Sequence, residues 1–69
     1  MEKVRMERVR LNAGGYDDTG SYWGVGGPLY RVDDPESEYG ATRHLRARNR
    51  EHAKSVYRAQ WRADAKFYR

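Results

Sequence analysis

The chain has 69 residues, no cysteine, and 14 basic against 10 acidic side chains, for a formal charge of +4. That length allows a single domain, residues 1–69, with a small core, and the lack of cysteine excludes a disulfide framework and a thiolate zinc site. No apolar run approaches the ~20 residues of a membrane-spanning helix, and the charged start Met1 to Glu7 lacks the apolar centre of a secretory signal, so a soluble, intracellular protein is expected.

Residues 3–11 read K-V-R-M-E-R-V-R-L. Val4 and Met6 alternate with charges, and Val9 and Leu11 do so in the opposite phase. Two phases joined near Glu7–Arg8 predict a strand with a bulge; a short helix through Val4, Arg8 and Leu11 is the competing reading.

The next stretch, Asn12 to Tyr30, organises the chain. It holds six of the seven glycines, together with Tyr16, Tyr22, Trp23 and Tyr30. Ala13-Gly14-Gly15, Asp17-Asp18-Thr19-Gly20 and Gly26-Gly27-Pro28 are three turn signals, and the aspartates can accept bonds from nearby backbone N–H groups. Ser21 to Val25 fits a short strand or an extended loop. Leu29 to Val32 reads as a strand that opens after Pro28, where a strand tolerates proline.

Asp33 to Glu38 has the composition of a solvated acidic hairpin tip. Ala41 to Arg48 alternates again: Ala41, Arg43, Leu45 and Ala47 share one face, while Thr42, His44, Arg46 and Arg48 form a basic outer face. Asn49 is a good helix N-cap with Glu51 in the first turn, and a helix is expected from Arg50 to Arg62. Its apolar stripe is Ala53, Val56, Ala59, Gln60 and Ala63, with Tyr57 at the margin. Arg50, Lys54, Arg58 and Arg62 recur at i+4 as a basic ridge. Ala65 to Tyr68 reads as a short last strand. The order predicts a small α+β fold, a twisted antiparallel sheet of three to four strands with one helix packed across one face.

The motifs of chemistry are missing from this pattern. Gly24-Val25-Gly26-Gly27 lacks the dinucleotide-binding spacing and leads into a strand. His44 and His52 fall on different elements without cysteine partners, and Ser21 has no base partner, so neither a metal, a cofactor nor an enzymatic activity is expected. Two binding surfaces remain. One is the aromatic loop, with Tyr16, Asp17, Asp18, Tyr22 and Trp23 as partner contacts. The other is basic, with Arg46, Arg50, Lys54 and Arg58 as electrostatic contacts; residues 43–69 carry nine Arg/Lys against Glu51 and Asp64.

The run V-R-L-N-A-G-G-Y-D-D-T-G-S-Y-W-G-V-G-G-P-L-Y, followed by R-A-R-N-R-E-H-A-K and A-D-A-K-F-Y-R, resembles a group of small proteins encoded in bacteriophages and prophages. The shared pattern is a G-Y…G-x-Y-W-G-x-G-x-P-L-Y loop and an R-A-x-x-R-x-x-A-K helix start. It spans most of the chain outside 33–38 and carries over no catalytic residue. The resemblance implies a phage product acting in the cytoplasm of a bacterial host. By analogy with other small phage proteins, it would bind a host protein or nucleoprotein complex and inhibit a defence system such as a CRISPR effector. The alternative is a small basic accessory protein that binds nucleic acid. A virion or structural component, marked by self-association, is a third reading.

Overall fold

The computed structural model describes residues 3–37 and 42–68. Glu38 of the acidic connection, Ala41 of the third strand and Arg69 lie outside them. Strands β1 (Arg5–Val9), β2 (Leu29–Asp33) and β3 (Thr42–Arg46) form an antiparallel sheet in the order β1-β2-β3. Helix α1 (Arg50–Gln60) follows and packs on one face, giving a small α+β fold. Among the described residues, no helix is long and apolar enough to cross a membrane.

The register explains the change of phase in the first strand. Met6 pairs with Val32 and Arg8 with Tyr30, while Val9 pairs with Leu29, without interruption from Arg5 to Val9. The expected bulge is therefore absent. Val4 and Met6 enter the core under the helix. Val9 lies on the opposite face with Leu29 and Arg46, where Leu29 is buried yet belongs to no part of the helix-side core. The phase changes because each half of the segment has its apolar residues on a different face of the sheet.

On the helix side, Met6, Tyr30, Val32 and Leu45 of the strands meet Ala53 and Tyr57 of α1, with Val4, Ala47 and Ala65 closing the cluster. Full burial of a side chain such as Val4 or Val32 is worth about 1.5–3 kcal/mol. Asn49 caps the helix as expected, its side chain accepting from the His52 backbone N–H at 2.9 Å. The buried stripe differs from the expected one. Tyr57 is at its centre, fully buried, with Val56 and Trp61 partly buried, while Ala59, Gln60 and Ala63 are exposed. The helix ends at Gln60, where the Trp61 backbone N–H bonds the Tyr57 carbonyl. Beyond it, the chain runs parallel to the start of β1 in a single bridge between Val4 and Phe67, shorter than the strand expected over Ala65–Tyr68. The bonds are Val4 N–H to the Lys66 carbonyl at 2.6 Å and Tyr68 N–H to the Val4 carbonyl at 3.0 Å.

The acidic connection is not simply a solvated tip. Asp34, just after β2, is 3 % exposed. Its carboxylate accepts from Arg62 Nη1 at 2.6 and 2.7 Å, from the Tyr57 hydroxyl and from the Glu36 backbone N–H. Burial pushes the Asp34 carboxyl up, but the bonds from Arg62, Tyr57 and Glu36 outweigh it and hold the group below its ordinary value. Burial and the Asp34 bond push the Tyr57 phenol up to about 12. The residues that tie the sheet end to the helix are thus an ionised carboxylate, a neutral phenol and a guanidinium.

Candidate functional site

The glycine-rich stretch folds into a small hairpin laid over the face of the sheet away from α1. Its rungs are the antiparallel bridge between Tyr16 and Tyr22 and the bond from the Asp17 N–H to the Ser21 carbonyl at 3.0 Å. Asp17 organises the turn. Oδ1 accepts from the backbone N–H groups of Thr19 at 2.9 Å and Ser21 at 3.0 Å and from the Thr19 hydroxyl at 2.7 Å. Oδ2 accepts from the Trp23 indole N–H at 2.8 Å. The bond from Trp23, then that from Thr19, lower the Asp17 pKa to about 2, so the carboxylate is ionised throughout the neutral range. Asn12 plays the same part at the entrance, accepting from the Gly14 and Tyr16 N–H groups.

Glycine is required at two places for different reasons. Gly15 has φ +85°, and a Cβ there would sit 2.5 Å from the Gly24 carbonyl carbon, so the two backbone strands touch. Gly20 has φ +86° with open space around it and serves the turn alone.

The sheet holds the hairpin by two contacts from β3. The Trp23 ring lies against His44 with centroids 4.4 Å apart. The Arg46 guanidinium donates to the carbonyls of Gly27 at 2.6 Å, Trp23 at 2.7 Å and Gly24 at 3.0 Å. Three charge-assisted bonds into loop carbonyls fix a segment that has no core of its own.

What the hairpin offers to solvent is an aromatic pair. The Tyr16 and Tyr22 rings pack on each other at 5.0 Å, yet the residues remain 45 % and 65 % exposed, and Val25 is 78 % exposed. Asp18 is exposed beside them in the turn. Of the five loop residues expected to touch a partner, the structure therefore presents Tyr16, Asp18 and Tyr22. Asp17 and Trp23 are half-buried and hold the hairpin together, and Tyr30 is in the core. Val25 was not anticipated. Its signal was faint: one apolar residue among glycines, where no packing partner was to be expected.

The expected basic contacts have a different fate. Arg46 clamps the hairpin. Arg50 donates to the Met6 carbonyl at 3.0 Å. Lys54 pairs with Glu51 at 3.2 Å and lies over the Phe67 ring. Arg58 donates to the Ala65 carbonyl at 2.9 Å and also lies over Phe67, 5.0 Å from its centroid. The i+4 ridge is a seam that binds the helix to the sheet and the terminal segment. Among the described residues, no group of three or more His, Cys, Asp or Glu side chains is placed to hold a metal ion.

No family model matches the chain, and no curated protein or solved structure matches it either.

Proposed function

We propose that this chain is a phage-encoded, non-enzymatic binding protein that acts in the cytoplasm of a bacterial host and inhibits a defence complex by docking the Tyr16–Tyr22 tip on a protein surface. The phage origin and the host setting rest on the resemblance of the loop and helix pattern. The observation that carries the binding reading is the solvent-exposed tyrosine pair on a hairpin fixed from below by Asp17, Trp23 and Arg46. Burial of Tyr16 or Tyr22 in the molecule would have explained them as core; exposed and packed on each other at a tilt of 53°, they match the rigid aromatic anchors that dominate protein interfaces. A fixed hairpin also loses little conformational freedom on docking.

The test is capture of a partner from nuclease-treated bacterial lysate, comparing the native chain with Tyr22→Ala and Tyr16→Ala. Anchor truncations of this kind cost about 2 kcal/mol or more, a loss of roughly 30-fold in affinity. A partner held by the native chain and released by both variants supports the reading. A partner retained equally by both overturns it, provided that circular dichroism shows the variants folded.

A further inference from the structure

The cations that the fold does not use are placed unevenly. Among the described residues, Lys3, Arg8, Arg10, Arg48 and Lys66 are exposed, and their side chains make no hydrogen bond, ion pair or ring contact. Arg5 lies over Tyr68, Arg31 pairs with Glu7 and Asp33, and Arg43 lies over Trp61. Arg46, Arg50, Lys54, Arg58 and Arg62 are bonded as described above. Lys3 and Lys66 flank the Val4–Phe67 bridge at one end of the sheet, where Arg5 pairs in register with Asp33, and Asp34 and Glu36 follow. Arg8, Arg10 and Arg48 belong to the other end. Arg8 pairs with Tyr30, Arg10 follows the last residue of β1, and Arg48 follows Ala47, whose N–H bonds the Pro28 carbonyl at the start of β2. The carboxylates of β2 and its turn lie at the far end of the sheet.

A groove of about 480 Å³ opens at this basic end, lined by Arg8, Val9, Arg10 and Leu11. The two arginines lie two residues apart along an extended chain, hence on one face and about 7 Å apart, whereas Arg48 alternates with the buried Ala47 and so belongs to the other face. We propose that this end of the sheet binds the phosphate backbone of a nucleic acid, with Arg8 and Arg10 on successive phosphates of one strand. The spacing of Arg8 and Arg10 favours phosphates over carboxylates. Successive phosphates of an extended strand repeat at a distance close to that between Arg8 and Arg10, whereas acidic side chains on a protein have no fixed repeat. Free guanidiniums with five donors each also suit phosphate oxygens. The inference uses none of the tip residues, so it stands or falls apart from the proposed protein contact. Together the two surfaces describe a ligand for a nucleoprotein complex.

The test is fluorescence anisotropy with labelled single-stranded and duplex oligonucleotides from 50 to about 200 mM salt. Two phosphate contacts predict a slope of log affinity against log salt of about −1.4 for a single strand and about −1.8 for a duplex, by the usual ~0.7 and ~0.9 counterions per contact. Each of R8Q and R10Q is expected to reduce the slope by about one contact's worth, uniformly across sequences. Lys66→Gln at the opposite end and Tyr22→Ala at the tip are expected to leave it unchanged. The charged side chains are exposed and without partners, and Tyr22 packs on the exposed Tyr16 ring, so the variants fold. No binding at 50 mM salt, an equal effect from Lys66→Gln, or equal affinity for polyglutamate of matched charge would each overturn the proposal.

Discussion

Asp34 shows what one residue contributes when its surroundings are remote in sequence. It is a nearly inaccessible carboxylate that meets Tyr57 and Arg62, 23 and 28 positions later. Asp34→Asn would leave Arg62 without its main counter-charge at a buried contact, a change that typically costs about 3 kcal/mol or more. The pH dependence has a definite sign at each end. Because the folded Asp34 pKa is lowered from 3.8, its stabilisation is complete above that value and lost as pH falls through the lower folded one. Because the folded Tyr57 pKa is raised from 10.0 to about 12, its stabilisation is complete below pH 10 and lost as pH rises towards 12. Urea midpoints of the native chain, Asp34→Asn and Tyr57→Phe across pH check both. Because the two groups share one bond, the native advantage over Asp34→Asn and that over Tyr57→Phe should each shrink in acid, as Asp34 is protonated, and again in strong alkali, as Tyr57 ionises. Asp34 could not be told from its neighbours in D-D-P-E-S-E, because carboxylates differ only by what packs on them. Asn49 was legible for the opposite reason, since its partner is three residues away.

At the scale of elements, local signals were read well and shared ones poorly. The three strands, the helix and the turns at Gly15 and Gly20 follow from alternation, an N-cap and glycine. The reading of a bulge failed because one strand can switch its apolar side when both faces of the sheet are covered, and nothing local reveals that the second cover is the hairpin. The internal partners of the basic ridge were hidden likewise, since a period of four marks a shared helix face but not what lies against it. The hairpin gives a sharp contrast between two glycines of like φ. Gly20→Ala meets only the left-handed backbone penalty, about 1–2 kcal/mol. Gly15→Ala adds a Cβ inside the Gly24 backbone, which cannot yield without separating the two strands. Hydrogen exchange at the Trp23 amide, which donates to the Gly15 carbonyl at 2.8 Å, is the direct readout. Its protection should weaken in Gly20→Ala and vanish in Gly15→Ala, while the amides of β2 stay protected in both.

For the whole molecule, the question is how so small a core holds without disulfides. Among the described residues, the helix-side cluster has nine buried members, and five of them, Val4, Ala47, Ala53, Tyr57 and Ala65, come from outside the three strands. The last segment closes it. Phe67 meets the edge of the Tyr57 ring at 5.8 Å, carries Lys54 and Arg58 on its faces, and bridges Val4. That segment therefore joins the helix to the first strand, the two elements furthest apart in the order of the sheet and chain. Phe67→Ala removes a half-buried ring, so roughly 2 kcal/mol is expected, below the 3–5 of a fully buried one. In a domain of this length that is a large part of the total. If the segment belongs to the cooperative unit, Phe67→Ala lowers the urea midpoint at unchanged slope, their product giving that loss of stability, and circular dichroism and Trp fluorescence report one transition. A loss of less than about 0.5 kcal/mol would make the segment an appendage, and the helix would then be held by its contacts with the sheet and Asp34, through Ala53, Tyr57, Arg50 and Arg62.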